Sequence, residues 1–120
     1  MANLLEQKEK EAENRCLELQ EQIKSLENKD VKVHFKIVQL SEEDFAIGYI
    51  QEPSFIVKKR AMDKMAVNQS VTDLGEMILD TCFLKEASDK RILEDDKLHM
   101  TFIMLASEFV ELYVIEVKKN

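Results

Sequence analysis

The sequence predicts a mainly helical α+β protein: an N-terminal coiled-coil helix, then a β-hairpin and a three-helix domain. Residues 1–30 are polar with a seven-residue apolar rhythm. Residues 31–40 alternate apolar and polar side chains, the period of a half-buried strand, and after a polar turn residues 45–51 read as its hairpin partner. Beyond Pro53, apolar residues recur at helical spacing. The composition agrees, because two Gly and one Pro in 120 residues are too few turn formers for a many-stranded sandwich or barrel. This length allows one compact domain with an appendage, and the expected division is an oligomerisation helix over 1–30 and a folded domain over 31–120.

In the first segment, Ala2, Glu9, Cys16 and Ile23 take heptad position a and Leu5, Ala12, Leu19 and Leu26 take position d, with Glu9 the charged exception. The g positions Lys8, Arg15, Gln22 and Lys29 are basic or amide; the e positions Glu6, Glu13, Gln20 and Glu27 are acidic or amide. In a parallel pair g meets the partner's e five residues on, which sets Lys8 against Glu13, Arg15 against Gln20 and Gln22 against Glu27. An antiparallel self-pair sets like near like. The expectation is a parallel dimer or trimer held through Leu5, Ala12, Cys16, Leu19, Ile23 and Leu26. The alternative is an amphipathic helix docked on its own domain, with i,i+4 pairs such as Glu6 with Lys10 on its wet side. A stripe this narrow is not stable alone in water, so either arrangement needs a second surface.

Val31, Val33, Phe35 and Ile37 alternate with Lys32, His34 and Lys36, which predicts a strand with one wet face. Ser41, Glu42, Glu43 and Asp44 form a polar turn, and Phe45, Ile47 and Tyr49 alternate with Ala46, Gly48 and Ile50 in the returning strand. Pro53 cannot continue an inner strand but suits the first turn of a helix. In that helix Phe55, Met62 and Ala66 are expected on one side and Lys58, Lys59, Arg60 and Lys64 mostly on another. Ser70 with Asp73 three residues on resembles a capping box and opens a second helix through Val71, Leu74, Ile78 and Cys82, where Gly75 permits close packing. Glu86 to Arg91 reads as a polar connection. Glu94, Asp95 and Asp96 place negative charge at the dipole end of a third helix, apolar nearly all round and therefore expected at the centre. Its continuation over residues 112–117 has strong β propensity and reads equally as helix or strand.

The chain carries 17 Lys and Arg against 24 Asp and Glu, a formal charge of −7, which argues against nucleic acid or an anionic membrane as partner. Two cysteines without a framework spacing, and no apolar run of signal-peptide or membrane-span length, predict reduced thiols in a cytoplasmic protein. His34 and His99 fall in different elements, short of the three or four converging ligands a metal needs. Cys82 lies on an apolar helix face without a His to act as its base, Gly48 and Gly75 stand alone rather than in a phosphate loop, and no Ser nucleophile elbow occurs. No enzyme activity, metal or cofactor is expected. A protein partner is. The candidate rim is Tyr49, Gln51, Phe55, Lys58 and Lys59, an aromatic and cationic group beside a possible strand edge.

Residues 45–117 carry Gly48-Tyr49-Ile50-Gln51-Glu52-Pro53, then Thr81-Cys82-Phe83-Leu84, then the polar acidic stretch from Ser88-Asp89 to Asp96. This order resembles small tailed-phage proteins, in which a Gly-Tyr-hydrophobic strand ending in Pro leads into helices, a Cys-Leu-type segment, an acidic connection and a last helix. The resemblance implies a tail-assembly-chaperone-like or minor structural role in virion morphogenesis, in the host cytoplasm or on the virion. The expected function is therefore a non-enzymatic phage-type assembly or structural protein that self-associates through its N-terminal helix and binds a phage structural protein or a host protein. The alternative is a small dimeric regulatory adaptor or inhibitor of a host protein.

Overall fold

The structure, a computed structural model, describes residues 3–110. The elements run α1 (Leu4–Glu27), β1 (Val33–Gln39), β2 (Phe45–Gln51), α2 (Phe55–Asn68), α3 (Val71–Cys82), α4 (Arg91–Glu94) and α5 (Asp96–Ser107). The two strands pair antiparallel from Val33 opposite Gln51 to Gln39 opposite Phe45. The architecture is α+β and mainly helical, as the sequence predicts. Residues 112–117, where helix and strand stood open, lie outside the described residues.

Local chemistry sets most helix ends. The Asn3 side chain accepts from Glu6 N at 2.8 Å and opens α1, and Asn28 closes it in the left-handed region with φ 53°. Ser54 caps α2 by accepting from Val57 N, which puts Pro53 before the helix rather than in its first turn. Ser70 caps α3 by accepting from Asp73 N. The predicted third helix is α5, opened at the expected acidic group: Asp95 adopts extended angles of −96° and 117° and its carboxylate accepts from Leu98 N, which separates α5 from the short extra turn α4 before it. A residue that caps cannot also lie inside the helix it caps.

The hairpin lies between two layers. Residues opposite one another share a face, so Val33, Phe35, Ile47 and Tyr49 form one surface, and α1 lays Ala12, Cys16, Leu19 and Ile23 on it. Ala46 and Ile50 of the other face join the helical core of Ala61, Leu74, Ile78, Leu79, Ile92, Leu98, Phe102 and Ile103. The wet face expected of β1 is covered only in part: Val38 packs on the helical core, while the His34 and Lys36 side chains each remain 28% exposed. A Cβ at Gly48 would stand 2.5 Å from Phe102 Cε1, so glycine is what lets the Phe102 ring reach the strand. Gly75 plays the same part between α3 and α5, where a Cβ would collide with the Ile103 carbonyl.

Two packing expectations are corrected. In α2 the inward face is Val57, Ala61, Met62 and Met65, and Phe55 projects outward at 78% exposure. In α5, Leu98, Phe102, Ile103 and Ala106 are buried while Met100 and Met104 stay largely exposed, so this helix is covered on one side and is not central.

Candidate interaction surface

The backbone of a strand alternates its hydrogen-bonding direction, and the register here fixes which residues face outward. Glu52 N bonds Lys32 O and Leu40 N bonds Asp44 O, so the even-numbered residues pair across the hairpin. The odd ones turn to the outer edges. On β2 that edge is closed by the chain itself: Asp89 N donates to Ile47 O at 3.0 Å, Leu84 N to Tyr49 O at 2.8 Å, and Tyr49 N to the Ser88 hydroxyl at 2.9 Å. Ser88 in turn donates to Leu84 O. The strand edge expected beside the Tyr49 rim is therefore not available to a partner.

The edge of β1 differs. Val33 N donates to the Gln20 side chain at 2.9 Å, and beyond that bond Phe35, Ile37 and Gln39 find no outward partner among the described residues. Along this edge lies an open groove of about 370 Å³, mainly apolar, lined by Glu13, Cys16, Leu17 and Gln20 of α1 and by residues 32–36. On the other face of the strand the His34 ring meets Phe109 edge-on at 5.1 Å, and Lys36 Nζ lies 3.6 Å from Glu108 and 5.3 Å above the Phe109 ring. His34 Nε2 is 3.5 Å from Glu52 Oε2 without hydrogen-bond geometry, which leaves that buried nitrogen unsatisfied. Lys58 lines the same cleft.

The five residues of the predicted rim do not form one surface. Tyr49 is 7% exposed beneath α1, because it lies opposite Phe35 on the face that α1 covers, and burial pushes its phenol pKa up. Gln51 is half-buried, Phe55 and Lys59 are exposed, and Lys58 turns toward the His34 cleft. The predicted self-association stripe is likewise divided. Ala12, Cys16 and Leu19 are buried against the chain's own hairpin and Ile23 packs beside them. Leu5 is half-buried outside that cluster, and Leu26 is 85% exposed. With α1 docked, the middle of the stripe is occupied within one chain.

Both cysteines are free and buried, and burial raises both thiol pKa values, the opposite of an activated nucleophile. Among the described residues no group of three or more His, Cys, Asp and Glu converges as a metal site. No described helix is long and apolar enough to cross a membrane. The sequence reading missed Arg91. Its guanidinium holds Asp44 at 2.8 and 3.0 Å, Asp89 at 2.8 Å and the Phe45 carbonyl at 3.3 Å, tying the hairpin turn to α4. Hydrogen bonds from Arg91 hold both carboxylates below their ordinary range and raise its own pKa. No local pattern signals this contact, since Asp44 and Arg91 are distant in sequence. The chain matches no known protein-family model, no curated protein and no solved structure.

Proposed function

We propose that this chain is a non-enzymatic assembly or structural protein of phage type, which self-associates through α1 and binds another protein along the outer edge of β1. The observation that carries the reading is that edge: outward backbone groups at Phe35, Ile37 and Gln39 without a partner among the described residues, bordered by an apolar groove. Groups of this kind are satisfied by water or by an added strand, and a protein surface supplies the second. For self-association, Ala12, Cys16 and Leu19 are taken by the hairpin, which leaves the ends of the stripe at Leu5 and Leu26 for a second copy.

Two measurements test this. Light scattering of the full chain is expected to give a dimer or trimer, and a monomer at all concentrations removes the self-association half. Mass spectrometry of purified virions, with co-purification from infected cells, is expected to find the chain with tail or capsid proteins. Retrieval of a single host target instead favours a regulatory adaptor.

A further inference from the structure

We infer that the β1 edge takes an extended segment of a partner protein as an added strand, and that this segment alternates apolar with acidic side chains. The inference deepens the protein-binding reading above and rests on it. Main-chain hydrogen bonds to Phe35, Ile37 and Gln39 supply a docking rail that is blind to sequence, so specificity must come from the two faces of the incoming strand. On one face its side chains lie beside Phe35 and Ile37 and enter the groove against Cys16 and Leu17, the latter 60% exposed. That side selects apolar residues.

On the other face they lie beside His34 and Lys36, over the cleft that Lys58 also lines. The carboxylates already there are Glu52, which faces His34, and Glu108, which faces Lys36; Lys58 has no ion pair among the described residues. Lys32 extends the same side of the strand and is exposed. In a chain of net charge −7, the stretch from Val31 to Leu40 holds Lys32, His34 and Lys36 and no carboxylate. Acidic side chains at alternate positions of the incoming strand complement it.

A second copy fits this edge less well. Antiparallel pairing of β1 with itself about Lys36 sets Lys36 against Lys36, like charges directly opposite, and no register sets a carboxylate against that lysine, since β1 carries none. The same cations that blunt self-pairing favour an acidic stranger.

The test uses the full chain and two labelled synthetic peptides of seven residues, one alternating Val and Glu, the other alternating Val and Lys. Fluorescence anisotropy is expected to show the Glu peptide binding at least tenfold more tightly than the Lys peptide, with the gap narrowing as salt rises. Amide exchange at Phe35, Ile37 and Gln39 is expected to slow on peptide addition. Replacing both Lys32→Glu and Lys58→Glu, at an exposed and a half-exposed position, is expected to leave the circular dichroism intact and to reverse the preference. Equal binding of the two peptides, or none, overturns the inference. So does an edge already slow to exchange in the free chain, whether with concentration dependence, which assigns it to a second copy, or without, which assigns it to residues 111–120. Failure of peptide binding with virion co-purification retained removes this inference alone. Peptide binding in a chain that co-purifies with nothing removes the phage-assembly reading and leaves the edge chemistry standing.

Discussion

Single residues decide how closely the layers approach. At Gly75 two effects oppose: alanine gains about 1 kcal/mol of helix propensity, but its Cβ meets the Ile103 carbonyl, which is backbone inside α5 and cannot swing aside. Overpacking typically costs about 1–3 kcal/mol and is larger when the obstacle is backbone, so the clash wins. Gly75→Ala is expected to lower the thermal midpoint by several degrees in calorimetry; a rise would show that α3 and α5 move apart freely. Ser88 is buried and both accepts from Tyr49 N and donates to Leu84 O. Ser88→Ala orphans the Tyr49 amide in the interior, at an expected cost of about 1–3 kcal/mol in urea denaturation. Only one of these roles can be read in the sequence. Gly75 is legible as a site of close packing, but Ser88 is one serine in a polar stretch until β2 is laid beside it.

At the scale of elements, α1 is the part whose role depends on its neighbour. Its heptad rhythm is plain in residues 1–30, and the structure directs that stripe onto Val33, Tyr49 and Ile47 of the same chain. The physical reason is that the odd face of the hairpin is apolar and lies one short connection away, whereas a second copy must be recruited from solution at an entropic cost. Leu19→Ala is therefore expected to lower stability by about 2–5 kcal/mol even where the protein is dilute, since it opens a cavity in the α1 layer. Leu26→Ala, at an exposed position, is expected to change stability by less than about 0.5 kcal/mol while weakening self-association. Equal thermal losses in the two variants would place α1 off the hairpin. The starts of α3 and α5 were legible, because the capping Ser70 and the acidic group at Asp95 are local signals, whereas Ser54 caps α2 where the sequence pointed to Pro53.

For the molecule as a whole, Arg91 at the start of α4 joins the hairpin turn to the loop before that helix. Asp44 and Asp89 have pKa values held low in the folded state by Arg91, so their contribution is fully present above the ordinary carboxylate pKa of about 3.9. It is lost as pH falls through the lower folded values. Arg91→Met is expected to show a thermal midpoint below that of the wild type at pH 7, with the difference shrinking below about pH 4. A difference that persists undiminished at pH 2 would mean that Arg91 acts through packing of its stem instead. The partners are partly exposed, Arg91 and Asp44 to nearly half, so the effect is expected to be modest and to weaken with salt.

Periodicity and capping are local, and they determined from the sequence alone that a long polar helix precedes an antiparallel hairpin and a set of capped helices. They also marked the apolar stripe of α1 and the alternating faces of β1. Which surfaces meet is a property of three dimensions, and only the tertiary structure decided it. Alternation says that Tyr49 and Phe35 share a face, yet it is the docking of α1 that removes Tyr49 from solvent. A possible edge on β2 was readable, but residues 83–89 fold back to close it and leave β1 as the outer strand. Hydrogen bonds and contacts between residues far apart in the chain leave no period behind, and the interaction surface is built from those.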